Sequence, residues 1–256
     1  MTLLEQIIAE KQSEIAALKS ARPEMEAAPP SPSRGFAAAL RRPGLSIIAE
    51  IKRRSPSKGV LRETLDPAHL ARSYAAGGAA AISCLTDRTF FGASPDDFSA
   101  ARGTAALPLL RKDFMIDAAQ LHQARQMNAD AVLLIVRILD QPLLIEMLKV
   151  SRSLGMDALV EVHDEPELQR ALAAGAEVIG VNARDLATFD VDPGLALRLR
   201  PLIPAGRIAV AESGVRTRDD MLRISDAGFD AVLIGETLVR APDPAAVLRT
   251  LRGVEP

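Results

Sequence analysis

The hydrophobic positions change their rhythm once along the chain. From Thr2 to Ser20, Leu3, Leu4, Ile7, Ile8, Ile15 and Leu18 recur mostly at helical spacing with charges between them, which predicts an amphipathic helix over 2–20. Pro23, Pro29, Pro30 and Pro32 cannot continue it, so 21–34 is expected to be a mobile loop, followed by a short helix over 36–42. From Leu45 onward, short apolar runs alternate with longer amphipathic segments. The runs predict strands over 46–51, 79–85, 107–111, 131–136, 158–162, 178–181, 208–211 and 231–234. Between them, segments such as 117–127, 141–154, 165–174 and 218–227 have room for two to four helical turns.

A turn leading into an apolar strand recurs along this region. It appears as Ala76-Gly-Gly-Ala-Ala-Ala-Ile, Asn128-Ala-Asp-Ala-Val-Leu-Leu-Ile, Gly155-Met-Asp-Ala-Leu-Val, Ala174-Gly-Ala-Glu-Val-Ile and Ala227-Gly-Phe-Asp-Ala-Val-Leu-Ile. A glycine at the helix end supplies a left-handed cap, and strands apolar on both faces suit a parallel sheet covered by helices. Eight such units fit a closed (β/α)8 TIM barrel with an N-terminal helical extension, residues 1–44 forming the extension and 45–256 the barrel, the two making one domain. An open doubly wound sheet is the alternative, but no G-x-G-x-x-G follows the first strand.

Composition narrows the partners. With 256 residues, 48% hydrophobic and 25% charged, the chain has material for a sizeable core. A net charge of −2 and 3% aromatics argue against nucleic acid or a membrane surface. The single Cys84 has no disulfide partner and the N-terminus lacks a signal segment, so a reducing cytoplasm is expected. Cys84 reads as a small buried residue rather than a nucleophile. His69, His122 and His163 show no pairing at metal-ligand spacing. Glu161 and His163 are expected on opposite faces of their strand, so no metal is expected.

In a barrel, chemistry gathers where the strands end. The ends here are polar: Glu50-Ile51-Lys52, Arg111-Lys112-Asp113, Glu161-Val162-His163, Asn182-Ala183-Arg184 and Glu212-Ser213-Gly214. Alternation puts Glu50 and Lys52 on one face, and if Ile51 meets the helices both charges face the mouth. Any one of these would pass as a solvated strand end. Together they describe a compact acid and base site suited to proton transfer. Ser213-Gly214 and Gly235-Glu236 lie where barrels often hold phosphate on backbone N–H groups.

These strand ends resemble the indole-3-glycerol phosphate synthase family. The likeness rests on Ile48-Ala-Glu-Ile-Lys-Arg-Arg-Ser-Pro-Ser-Lys-Gly59, Leu110-Arg-Lys-Asp-Phe-Met-Ile-Asp117, Leu159-Val-Glu-Val-His163, Val181-Asn-Ala-Arg-Asp-Leu186, Ala211-Glu-Ser-Gly-Val215 and Ile234-Gly-Glu-Thr-Leu238. The N-terminal helix and proline-rich link also match the extension of that family. Arg54 stands where Ala is common, Ala183 where a second Asn is common, and Glu-Thr follows the eighth strand in place of Glu-Ser. The chain stops soon after the eighth helix, so the isomerase barrel fused to this enzyme in some organisms is expected to be absent.

The resemblance implies a carboxy-lyase of tryptophan biosynthesis that needs no cofactor. It would close 1-(2-carboxyphenylamino)-1-deoxyribulose 5-phosphate to indole-3-glycerol phosphate, releasing carbon dioxide and water. The implied catalytic set is Glu50, Lys52, Lys112, Glu161, Asn182 and Ser213, with Lys112 as general acid and Glu161 as the best candidate for the dehydration step. Arg184 would pair with the benzoate carboxylate, and Phe114, Leu133 and Ile234 would wall the aryl ring. Ser213, Gly214, Gly235 and Glu236 would offer amides to the phosphate, and Ser55, Pro56 and Ser57 would form a loop over the substrate. Partners are a phosphosugar substrate and no nucleic acid or membrane; a monomer is expected, with a homodimer as the alternative. The rival readings are a Schiff-base aldolase using Lys52 or Lys112, and a phosphosugar-binding protein without turnover on the same fold.

Overall fold

The computed structural model describes residues 2–20, 31–56, 58–185 and 190–254. Part of the proline-rich loop, 21–30, lies outside them, as does Ser57.

The apolar runs form β1 (Ser46–Ile51), β2 (Ala81–Leu85), β3 (Leu109–Lys112), β4 (Ala131–Ile135), β5 (Asp157–Val162), β6 (Val178–Asn182), β7 (Ile208–Glu212) and β8 (Ala231–Ile234). Each strand pairs in parallel with its sequence neighbour, and β8 returns to β1, so the sheet closes as a barrel and the open-sheet alternative falls. The expected third strand ends one residue later than the pattern places it, because Lys112 still pairs with Leu85.

The helices are α1 (Leu3–Ser20) and α2 (Phe36–Leu40) in the extension, then α3 (Pro67–Ala76), α4 (Asp97–Thr104), α5 (Ala118–Gln126), α6 (Gln141–Ser153), α7 (Glu165–Ala173), α8 (Leu195–Leu199), α9 (Arg218–Asp226), α10 (Glu236–Arg240) and α11 (Pro244–Arg252) around the barrel. Their starts share a local device. Asp66, Asp140, Asp164 and Asp243 each cap a helix through the side chain and are followed by a proline in the first two helical positions, where a missing N–H costs nothing. The repeated turns also share one. Gly78, Asn128, Gly155, Gly175 and Gly228 all adopt left-handed φ between the preceding helix and the next strand.

Strand parity divides the core in two. Ile47, Ala49 and Ile51 of β1 join the layer between strands and helices. Ile48, Ala81, Leu110, Ala131, Leu133, Leu159, Val178, Ile208, Val210, Ala231 and Leu233 fill the barrel interior. Phe36 and Leu40 of α2 join that inner cluster and are fully buried. The Arg34 N–H donates to Asp130 at 2.7 Å and the Ala37 N–H to Asp157 at 2.8 Å, which ties the extension to the residues leading into β4 and β5. α1 lies against the barrel through Ile7, Lys11 and Ile15.

Candidate active site

Inward parity carried to the strand ends builds the site. In β1, Ile48 is followed inward by Glu50 and Lys52; in β3, Leu110 by Lys112; in β5, Leu159 by Glu161 and His163; in β6, Val178 by Gly180 and Asn182; in β7, Val210 by Glu212. The apolar filling thus ends in one polar layer, with Ile51 packed outward as the alternation requires.

The layer is a set of buried ion pairs. Lys112 Nζ lies 2.7 Å from Glu212 and 3.3 Å from Glu161. Lys52 pairs with Glu50. Burial works against charge on Lys112, but Glu212, Glu161 and Glu50 outweigh it and hold the ammonium well above its usual range. Burial also favours a proton on Glu161, yet Lys112, His163 and Asn182 hold that carboxyl below the usual range. Glu212 goes the other way, to about 7, because burial and the adjacent Glu161 charge outweigh Lys112. Two carboxyls flanking one ammonium are therefore driven apart, the arrangement of an acid and base pair.

Asn182 and Ser213 steady this centre. Asn182 Oδ1 accepts from Ser213 Oγ at 2.8 Å and from the Arg184 N–H at 3.1 Å, while its side chain also hydrogen bonds Glu161. Ser213 and Gly214 both adopt left-handed φ, of 64° and 84°. For Ser213 that conformation is costly, and it turns the chain sharply at the mouth.

One cavity takes in Glu50, Lys52, Ser55, Pro56, Lys112, Phe114, Leu133, Glu161, Asn182, Arg184, Ser213, Gly214, Ile234, Gly235 and Glu236. Every described residue of the implied catalytic and binding set thus lines one concave surface. Ser57 lies outside the described residues. Phe114 stands 6.1 Å from Phe91 between ring centroids and gives the cavity an apolar side.

Three features escape the sequence reading. Glu212, the other ligand of Lys112, has no role there, although it ends its strand as Glu161 nearly does. Lys11 lies in the buried stripe of α1, four residues from both Ile7 and Ile15, and its ammonium meets Asp87, Asp113 and Glu14 at 2.9 Å each. The expected separation of Glu161 and His163 is wrong: residues two apart share a strand face, and His163 Nε2 lies 3.2 Å from Glu161 Oε1. Cys84 is buried, and burial raises its thiol far above the usual range, as befits a core residue. Arg53 forks onto Asp97 at 2.6 and 2.8 Å, while Arg54 donates to the Thr89 and Phe90 carbonyls. These two arginines are tied to the neighbouring loops.

The profile of the indole-3-glycerol phosphate synthase family matches residues 4–251. The indole-3-glycerol phosphate synthase 2 of Streptomyces coelicolor is 49% identical over 255 residues, covering 98% of this chain and 99% of its own. The indole-3-glycerol phosphate synthase of Mycolicibacterium smegmatis is 48% identical over 256 residues, covering 98% and 93%. Among solved structures, a 3-hexulose-6-phosphate synthase superposes with a TM-score of 0.62 at 16% identity, covering 83% of this chain and 100% of its own, a likeness of fold alone. With the polar strand ends in one cavity and this likeness running through almost the whole length, the chain belongs to the indole-3-glycerol phosphate synthase family, carboxy-lyases of tryptophan biosynthesis.

Proposed function

We propose that the barrel mouth closes the indole ring with Lys112 as general acid and Glu161 as principal base. The observation that carries this is the placement of Lys112 Nζ between Glu161 and Glu212 on the cavity wall. The family reaction converts 1-(2-carboxyphenylamino)-1-deoxyribulose 5-phosphate to indole-3-glycerol phosphate, carbon dioxide and water.

The aromatic carbon that bears the carboxylate attacks the ribulose carbonyl, and the carbonyl oxygen takes a proton from Lys112 as its charge grows. Paired as it is, Lys112 is cationic throughout the working pH range, so its proton moves only when the reacting oxygen becomes strongly basic. A lysine held this firmly as an ammonium is also a poor Schiff-base nucleophile. Loss of carbon dioxide returns its bonding pair to the ring and restores aromaticity. The new hydroxyl then takes a proton from a second acid and leaves as water while a base removes a proton. Glu161, ionised and steadied by Asn182, serves as that base, with Lys52 and Glu50 assisting at the opposite wall.

Binding follows the cavity walls. Arg184 takes the benzoate carboxylate, and Phe114, Leu133 and Ile234 flank the aryl ring. Ser213, Gly214, Gly235 and Glu236 offer backbone N–H groups to the phosphate, with the Glu236 carboxylate turned away; Glu236 Oε1 lies 3.3 Å from Arg240 Nε, which supports this. Ser55 and Pro56 cover the substrate and exclude water. We place the enzyme in the cytoplasm as a monomer, since one chain supplies the cavity and Cys84 is free and buried. Among the described residues no helix is long and apolar enough to cross a membrane.

Turnover, read as indole fluorescence after addition of the anilino-ribulose phosphate in EDTA, tests the activity. Lys112→Ala is expected to lower kcat by about 10²- to 10⁴-fold, the usual share of one proton transfer. Near wild-type kcat in that variant would refute the acid role.

A further inference from the structure

His163 follows β5 directly, and its side chain is 2% exposed. It is not part of the cavity wall. Its ring nonetheless has a carboxylate at each nitrogen: Nδ1 hydrogen bonds Glu167 Oε2 at 3.0 Å, and Nε2 lies 3.2 Å from Glu161 Oε1, an ion-pair distance without hydrogen-bond alignment. Glu167, in the first turn of α7, also accepts the His163 backbone N–H at 2.8 Å and the Arg137 Nε–H at 2.7 Å. Arg137 in turn meets Asp185 at 3.0 Å and Asp164 at 3.6 Å. Carboxylates accept and do not donate, so one facing each nitrogen favours the doubly protonated cation.

We propose that His163 is a positioning residue for ring closure: an imidazolium clamped by Glu167, it holds the Glu161 carboxylate in place and ionised beside Lys112. The proposal rests on Glu161 being the base. Its electrostatics are consistent from every side. Glu161 faces Lys112, Glu212 and His163, with the neutral Asn182 beside it; His163 faces Glu161 and Glu167, with Arg137, Asp164 and Asp185 behind them. Burial lowers His163, but the two carboxylates prevail and bring it to about 9. Glu212 shares Lys112 with Glu161 but, among the described residues, meets no second cation as Glu161 meets His163, and it is the carboxyl driven upward. His163 thus adds to Lys112 and Asn182 in keeping Glu161 the ionised carboxyl of the two.

The test uses the complete enzyme and the pH profile of kcat/KM from pH 6 to 10 for wild type and His163→Gln, which keeps a donor and loses the charge. With the imidazolium gone, Glu161 retains its proton to higher pH, so the deficit is largest on the acid side. The variant is expected to be several-fold slower at pH 6 and to recover as the pH rises and Glu161 ionises. The two profiles should converge above pH 9, where the wild-type imidazolium itself discharges. KM should change little, because His163 lies off the cavity. A ratio that is constant with pH would show a merely structural role and overturn the proposal. A second readout needs no active variant: the chain has only three histidines, so the wild-type imidazole resonances are few, and those of His163 are the ones missing from His163→Gln. They should remain those of a cation at pH 8; titration near 6.5 would overturn the proposal. Glu161→Gln separates the two layers. Full activity there removes the base assignment and this proposal with it, whereas a dead Glu161→Gln beside an unchanged His163→Gln profile removes this proposal alone.

Discussion

Lys112 and its two carboxylates occupy space that neighbouring residues must leave free. Gly180 lies on the inward face of β6, where a Cβ would collide with Glu212 Oε1 and reach Leu159 at 3.1 Å. Gly235 does the same for Glu50, so its lack of a side chain makes room for a carboxylate whatever its amide does for phosphate. Gly180→Ala should therefore push Glu212 away from Lys112 and lower kcat by roughly 10²-fold, as a misplacement of about 1 Å can. The strain should cost about 1–3 kcal/mol of stability. Gly103→Ala is the matched control, since nothing lies within 4 Å of its added methyl; this exposed helical site should gain about 0.5–1 kcal/mol and keep its kinetics. Kinetics and urea unfolding of both variants decide it, and an unchanged kcat in Gly180→Ala would mean that Glu212 does not position Lys112. The sequence names Lys112 and Glu161 readily, because polar residues interrupt apolar strands there. It lists Glu212 only as a polar strand end and passes over Gly180, because a missing side chain is meaningful only once the carboxylate that fills its place is known.

At the scale of elements, strands and the glycine turns at helix ends were legible for a physical reason: buried parallel strands need unbroken apolar runs, and the turn out of a helix needs a residue that tolerates left-handed φ. What periodicity could not show is the seat of α1. Read alone, its stripe is a modest amphipathic face, and Lys11 counts as one of its charges. In the fold Lys11 is 1% exposed and surrounded by Asp87, Asp113 and Glu14, of which Asp113 also reaches the cavity wall. Asp87 also accepts the Phe90 and Phe91 N–H groups, so the ammonium joins α1 to the loop after β2 as well as to the end of β3. Removing one partner of a buried ion cluster leaves charge uncompensated, so Lys11→Met, which keeps much of the volume, should cost about 3–5 kcal/mol. Urea midpoints measure this, and a loss below about 1 kcal/mol would show that the cluster does not hold α1 to the barrel.

Over the whole molecule, the extension touches the barrel at both ends. α2 closes the end opposite the site with Phe36 and Leu40, its entry anchored on Asp130 and Asp157, while α1 reaches the loops of the catalytic end through Lys11. A closed barrel cannot release one strand without exposing two unpaired edges, and an extension that supplies part of the inner core cannot leave without opening that core to water. We therefore expect α1 to lose its structure in the same transition as the barrel wall, so that extension and barrel behave as one domain. The chain carries a convenient internal probe of that wall: it has no Trp and one Tyr, and Tyr74 is fully buried with its hydroxyl donating to the Glu50 carbonyl at 2.9 Å. Tyr74 fluorescence and hydrogen exchange of the α1 amides, followed across a urea series, should share one midpoint. Exchange of α1 at lower urea, with Tyr74 still buried, would separate the extension from the barrel and make it an appendage that the core does not need.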